Sequence, residues 1–208
     1  MVTGALGLTI GNSIGGANSY AETIGSLVGL WAGLVPGTIL VCRTRATGNI
    51  VKDLGLTFKL PADLIGIVAG LGSQFVLLPI VYVFVQFVVG HNLTKDLEKP
   101  AKDLTDNAHG AGFWLLAVLL IVGAPLVEEI FYRGLLLRSL KRSLPAWPSI
   151  LLCGLIFGAA HFDLVTLPGL AVFGVILAWL SHRSGRLGPN VIAHAAFNAA
   201  TVVLLWHG

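Results

Sequence analysis

Residues 120–140 read LIVGAPLVEEIFYRGLLLRSL. The flanks of this stretch are apolar enough for the interior of a lipid bilayer, yet Glu128, Glu129 and Arg133 stand in its middle. On the scale of membrane insertion, an Asp, Lys or Arg at the centre of a helix costs roughly 2.5–3.5 kcal/mol. The insertion cost of three ionisable groups so close together nearly cancels the favourable free energy with which the rest of their helix enters the membrane. They therefore require ionic partners or a polar cavity inside the membrane.

The composition of the whole chain indicates a membrane protein. Hydrophobic residues make up 55% of the 208 residues and charged residues only 11%, and the mean hydropathy is +0.85. A soluble domain carries roughly a quarter charged residues. The formal net charge of +3 comes from dispersed basic residues in short loops, which does not favour a nucleic-acid partner. We expect a single all-α membrane domain over 1–208, a polytopic bundle whose partner is the lipid bilayer.

We interpret six apolar segments as spans, taking about 20 mostly apolar residues as the length of a spanning helix. They are 23–42, 62–89, 112–137, 147–162, 166–181 and 189–206. The third can continue to Arg142. Residues 2–20 are rich in Gly, Ser and Asn, and we expect them to form a seventh span; a re-entrant or interfacial segment is the alternative. The domain then divides into variable helices and a loop over 1–110 and the polar helices over 111–208.

The loops predict the orientation of the bundle. With 2–20 as a span, nine of the 13 basic residues fall in one set of loops: Arg43, Arg45, Lys52, Lys59, Arg138, Lys141, Arg142, Arg183 and Arg186. Short cytoplasmic loops carry an excess of Lys and Arg. The amino terminus is therefore expected in the cytoplasm, and the plasma membrane is the expected location.

The polar residues within the spans come from three separate helices. Glu129 and Arg133 are four residues apart, so they share a helix face and can pair. Glu128 is rotated about 100° from Glu129 and needs another partner. His161 stands in the apolar stretch 147–162, while His194 and Asn198 share one face of the last span.

The position of Glu128 makes a cavity necessary. If the third span runs to Arg142, Glu128 lies roughly 20 Å from that end at 1.5 Å per residue. A polar network that only joins helices would explain each feature singly, since Asn often links membrane helices. Together, the set contains acid, base, cation and amide, which a hydrolytic site or an ion-coupled transporter needs.

Three short motifs carry a resemblance to a known family. EEIFYR fits Glu-Glu-x-x-x-Arg, FGAAH fits Phe-x-x-x-His, and HAAFN fits His-x-x-x-Asn. Their order and spacing over 112–206 resemble the CPBP family of intramembrane proteases, also called the Abi or type II CAAX prenyl endopeptidase family. The resemblance implies hydrolysis of a peptide bond in a peptide or membrane-protein substrate.

The same resemblance implies a role for each motif residue. Glu128 would be the general base that takes a proton from water, and His161 would hold and polarise that water. His194 and Asn198 would lie where the oxyanion develops. Glu129 and Arg133 would fix the helix and tune Glu128.

Two questions stay open at the level of sequence. The chain lacks His-Glu-x-x-His, the strong zinc-protease motif, and we favour chemistry without a cofactor. Zinc or another divalent metal held by Glu128, His161 and His194 is the alternative. A proton- or ion-coupled transporter and a non-catalytic membrane partner, such as an immunity protein, are the competing functions. The polar set has no counterpart in the first half of the chain, which disfavours a transporter built from inverted repeats.

Overall fold

The structure is a computed structural model that describes residues 20–90, 92, 93, 97 and 111–207. Every regular element within these ranges is helical, which confirms the all-α class. The predicted span 2–20 and most of the loop 91–110 lie outside the described residues. A helix satisfies its backbone hydrogen bonds within one segment, so it suits a chain whose solvent is hydrocarbon.

Seven helices make up the described chain. They are α1 (Tyr20–Arg45), α2 (Ile50–Leu54), α3 (Ala62–Val89), α4 (Gly112–Leu140), α5 (Ala146–Ala159), α6 (Leu167–Ser184) and α7 (Gly188–His207). In α1, α3, α4 and α6, the chain is long and apolar enough to cross a membrane, whereas α5 is a shorter apolar helix. Each of the six predicted spans therefore overlaps a helix of the structure.

Several helix boundaries differ from the prediction by up to three residues, and those at the ends of α4 and α5 affect the placement of polar residues. Helix α4 ends at Leu140, two residues before Arg142, to which the sequence allowed the span to continue. Helix α5 ends at Ala159, so His161 lies in the turn after the helix and not inside a span. The physical reason is the next residue, Phe162, whose φ of 53° is left-handed and cannot continue a right-handed helix.

The loops with the basic excess meet at one end of the bundle. The hydrogen bonds that join them include Leu187 N to Gly55 O at 2.8 Å, Arg186 Nε to Asp63 Oδ1 at 2.9 Å, and Arg138 Nη2 to Gly185 O at 2.8 Å. The ends of α2, α4 and α6 and the starts of α3 and α7 are therefore on the same side. This arrangement agrees with the grouping of loops expected from the sequence.

Small residues let α7 approach α3 closely. A Cβ added to Gly66 would lie 2.3 Å from Pro189 O, and one added to Gly70 would lie 2.1 Å from Ala193 O. Interfaces between membrane helices favour such residues because they permit close backbone contact. The contact at Gly70 sets the depth and rotation of α7 at Ala193, the residue before His194.

Candidate active site

Helix α4 is widened on both sides of its two glutamates. Its turns at Leu119–Gly123 and Ile130–Leu136 are π-helical, with hydrogen bonds to the fifth residue along the chain. Such turns insert an extra residue and rotate the side chains that follow, and they are frequent at functional sites. The six-residue α-helical piece between them carries Glu128 and Glu129, both buried.

Glu129 contacts two positively chargeable side chains at once. Its Oε1 accepts a hydrogen bond from Arg133 Nη1 at 2.7 Å, and both side chains are fully buried. The ion pair predicted from the four-residue spacing is therefore present. The same Oε1 lies 3.0 Å from His194 Nδ1 on α7. A carboxylate oxygen only accepts, so Nδ1 donates to it and the other ring nitrogen, Nε2, points away from Glu129.

Arg133 connects α4 to α5 and α6. Its Nη2 donates to the backbone oxygen of Gly174 at 3.0 Å, and its guanidinium lies 4.5 Å from the centre of the Phe157 ring. A cation over an aromatic face is stabilised by the ring's quadrupole, more so where water is excluded. One buried arginine thus fixes the relative positions of the three helices around Glu129.

Glu128 faces the opposite nitrogen of the same histidine. Its Oε2 lies 4.0 Å from His194 Nε2. This distance exceeds a direct hydrogen bond and matches a pair of polar atoms bridged by one water. Among the described residues, Glu128 Oε2 has no hydrogen-bond partner although it is buried. A buried oxygen without a hydrogen-bond partner destabilises the fold unless a water or a ligand binds to it.

Aromatic rings hold the imidazole of His194 in place. Phe157 from α5 and Phe173 from α6 contact it edge-on, each with ring centres 5.6 Å apart. Phe173 also stacks on Phe197 at 4.1 Å. These contacts restrict rotation of the ring, so that Nε2 stays directed toward Glu128.

His161 is buried although it lies beyond the end of α5. Its Nδ1 is 2.8 Å from the backbone oxygen of Phe157, four residues earlier. Because a carbonyl only accepts, Nδ1 carries the proton, and in the neutral ring Nε2 has the free lone pair. The Phe157 ring packs against both histidines, with ring centres 5.0 Å from His161. The Phe-x-x-x-His spacing is thus used twice, for a hydrogen bond and for ring packing.

Asn198 binds to the first wide turn of α4. Its Nδ2 donates to Leu120 O at 2.8 Å. In a turn with hydrogen bonds to the fifth residue, the partner of Leu120 would be Pro125, which has no N–H to give. The free carbonyl of Leu120 therefore accepts from α7 instead. One N–H of the Asn198 amide is used here, and the second can serve another acceptor.

The structure brings most of the predicted residues together. Glu128, Glu129 and His194 form a contiguous group, which Arg133 supports from behind. His161 joins them only through the shared ring of Phe157, and Asn198 contacts α4 one turn further along α7. Sequence reasoning missed the contact between Glu129 and His194.

Further contributors lacked a signal in the sequence. Phe173 and Gly174 look like ordinary residues of an apolar helix, and Tyr132, whose ring meets Phe157 edge-on, looks like core packing. The ring centres of Tyr132 and Phe157 are 5.2 Å apart. Such residues become visible only when the helices are placed against one another.

The donor set does not fit a metal ion. Within the described ranges, no group of three or more His, Cys, Asp or Glu side chains converges as metal ligands would. The hydrogen bonds from both histidines' Nδ1 atoms leave their Nε2 atoms free. Although these nitrogens are free, the side chains of Glu128, His161 and His194 do not converge on a common position where a metal ion could bind. We therefore derive no step through a metal.

The fold and the site define a helical membrane protein with a buried carboxylate–histidine centre. The model of one protein family, described as "Type II CAAX prenyl endopeptidase Rce1-like", matches residues 110–200. That segment, which carries all three motifs, is similar to the Rce1-like family, and the match agrees with the resemblance expected from the sequence. No curated protein and no solved structure matches the chain.

Proposed function

We propose that this protein is an intramembrane endopeptidase in which Glu128 activates a water molecule to attack a peptide bond. One observation carries the proposal: the buried Glu128 Oε2 has no hydrogen-bond partner among the described residues and lies 4.0 Å from His194 Nε2. A water between these atoms would have one acceptor to take its proton and one nitrogen to orient it. The Rce1-like family match supports this assignment of the reaction class.

The reaction proceeds in two balanced steps. In the first, the water oxygen bonds to the peptide carbonyl carbon, and Glu128 takes one water proton as general base. In the second, the carbon–nitrogen bond breaks, and the protonated Glu128 returns that proton to the leaving amine. General acid–base catalysis of this kind contributes about 10²–10⁴-fold to a rate.

The neighbouring residues have supporting roles in this proposal. His161 supports the centre from α5 by packing on the Phe157 ring, which also contacts His194. Asn198 donates an amide N–H to the oxyanion of the tetrahedral intermediate, next to His194. Glu129 and Arg133 keep His194 in its orientation, since Glu129 holds the ring through Nδ1.

The surrounding surface supports a substrate that approaches through the membrane. Large apolar side chains are exposed along α3, among them Val83, Phe84 and Phe87. Hydrocarbon is the natural neighbour of such a surface. We propose a multi-pass protein of the plasma membrane with the basic end of the bundle in the cytoplasm, acting on a peptide or membrane-protein segment. The basic excess at one end is the support for this orientation.

The proposal is tested by comparing proteolytic products. The full chain, purified and placed in liposomes with extracted membrane proteins, should generate new amino termini that mass spectrometry detects. Glu128→Gln should abolish them while thermal unfolding in detergent stays the same, because Gln has the same shape but cannot take the proton.

Asp163→Asn is the matched control. It makes the same acid-to-amide change near His161, and its Oδ1 can still accept from Val165 N. This variant should retain the products. The proposal fails if Glu128→Gln yields the same new termini as the unmodified protein.

A further inference from the structure

A cavity lies at the basic end of the bundle, far from the buried glutamates. It has a volume of about 110 Å³ and is lined by the end of α4 and the end of α6: Leu137, Arg138, Lys141, Ser181, His182 and Gly185. Since Leu140 ends α4, twelve residues at 1.5 Å place this end roughly 18 Å along the helix axis from Glu128. The cavity therefore belongs to the membrane surface and not to the site described above.

The polar groups of the cavity are mainly hydrogen-bond donors. Lys141 Nζ lies 2.9 Å from His182 Nδ1, and because an ammonium group only donates, Nδ1 accepts. The ring of His182 is then neutral with its N–H at Nε2. Lys141 keeps two further N–H groups, and Arg138 uses Nη2 on the oxygen of Gly185 and keeps its other donors. The hydroxyl of Ser181 completes the set.

The nearest acidic side chain lies outside the cavity. Asp53 is the acidic side chain that acts on Arg138, and its Oδ1 accepts from the Thr47 hydroxyl at 2.6 Å. No acidic side chain lines the cavity itself. Two cations and a donor-rich lining without an acidic residue form a site for an anion.

The position of the cavity selects the kind of anion. Leu137 is buried in the bundle while Lys141 is exposed, so the cavity lies where apolar helix gives way to polar loop. The phosphates of membrane lipids lie at this level of a bilayer. Basic pockets between membrane helices on the cytoplasmic side are suited to anionic headgroups.

We propose that this cavity binds a phosphate group, supplied by the headgroup of an anionic phospholipid. Arg138 and Lys141 neutralise the phosphate, while His182 and Ser181 add neutral donors from α6. The lipid would then join the ends of α4 and α6, the helices whose Glu129 and Gly174 both accept hydrogen bonds from the guanidinium of Arg133. The site is independent of peptide hydrolysis and would remain if the proposed protease activity failed.

The test measures bound lipid on the full chain in detergent by native mass spectrometry. Phosphatidylglycerol and phosphatidylcholine with the same acyl chains are compared, so that only the headgroup differs. We expect one phosphatidylglycerol to remain bound in preference to phosphatidylcholine. Lys141→Gln should weaken it about five-fold, the loss expected for one cation near a lipid surface.

Two further variants distinguish lipid binding in the cavity from diffuse electrostatic attraction to the basic surface. Ser181→Val fills the cavity without changing the charge, and it should also weaken binding. Arg142→Gln removes the adjacent exposed charge, which lies outside the cavity, and should retain the lipid. A second arm adds inorganic phosphate alone and follows thermal unfolding.

Each outcome bears on the proposal. Stabilisation by phosphate alone, lost in Lys141→Gln, would support the phosphate chemistry and assign the site to a free anion. Equal retention of the two lipids would overturn the proposal. So would an equal loss in Lys141→Gln and Arg142→Gln, because the attraction would then be diffuse.

Discussion

Glu129 on α4 and His194 on α7 are 65 residues apart in the chain, and their side chains meet at 3.0 Å. The same carboxylate oxygen accepts from Arg133 at 2.7 Å. The orientation of the histidine therefore depends on an ion pair that belongs to another helix. This connection makes Glu129 a positioning residue, and it links the stability of the bundle to the proposed chemistry.

Glu129→Ala should damage both stability and activity. Arg133 would remain fully buried without its counter-ion, and breaking a buried pair in this way costs about 3–5 kcal/mol. His194 would also lose the acceptor of its Nδ1–H. Thermal unfolding in detergent and the yield of new amino termini measure the two effects.

Arg142→Gln is the control for that change. It removes an exposed charge at the end of α4, so the free energy of unfolding should stay within about 0.5 kcal/mol. If Glu129→Ala melts at the temperature of the unmodified protein, the pairing does not support the fold.

Asn198→Ala should lower kcat by about 10²–10³-fold, the loss typical of one oxyanion donor. The hydrogen bond to Leu120 O would be lost too, but between membrane helices such a bond is worth only about 0.6 kcal/mol. If the Asn198 amide had only a structural role, Asn198→Ala would therefore lower the unfolding temperature slightly and leave kcat almost unchanged.

Thr201→Val is the matched variant on the same helix. It removes a hydroxyl that donates to Phe197 O at 3.2 Å and keeps the shape of the side chain. Its kcat should equal that of the unmodified protein. Equal kcat values for the two variants would refute an oxyanion role for Asn198.

Gly70→Ala and Gly72→Ala should have opposite effects on stability, although both lie on α3. The added methyl at Gly70 would lie 2.1 Å from Ala193 O, whereas nothing lies within 4 Å at Gly72. Overpacking costs about 1–3 kcal/mol, while Ala in place of a helical Gly gains about 0.5–1 kcal/mol.

Unfolding in detergent compares the two glycine variants directly. Because Ala193 precedes His194, Gly70→Ala should also reduce proteolysis, and Gly72→Ala should not. If Gly70→Ala proves as stable as Gly72→Ala, the close approach of α3 and α7 is not required.

Removal of divalent metal should leave proteolysis intact. The side chains of Glu128, His161 and His194 do not converge as a ligand set, and the proposed steps need none. The purified chain is treated with a strong zinc chelator, and its metal content and its products are then measured. Stoichiometric zinc whose removal abolishes cleavage, and whose return restores it, would contradict the prediction.

Hydropathy predicts the helices of this protein well because hydrocarbon leaves the backbone few alternatives. The Glu129–Arg133 pair is also visible in the sequence, since its partners are one helical turn apart. The contact with His194 is not, because it depends on how α7 docks against the glycines of α3. Local backbone geometry explains the position of His161, which a positive φ at Phe162 moves out of the helix.

Other contacts depend on departures from regular helix. The carbonyl of Leu120 is free for Asn198 because a wide turn pairs it with a proline, and periodicity does not reveal such a turn. The fully buried Asp63 is an ion-pair partner of Arg186, 123 residues away. From the sequence, Asp63 is only a charge near the start of a span.

The ion pair within α4 has a consequence for how the protein is made. Ribosomes deliver α4 to the membrane before α5, α6 and α7 have been synthesised, so no later helix can shield its charges at that moment. Because Glu129 and Arg133 are on the same turn-to-turn face of one helix, they neutralise each other as soon as that helix forms. Of the two glutamates, only Glu128 then enters the lipid without a partner of its own. Helix α4 can thus remain in the bilayer until α7 brings His194 into contact with Glu129.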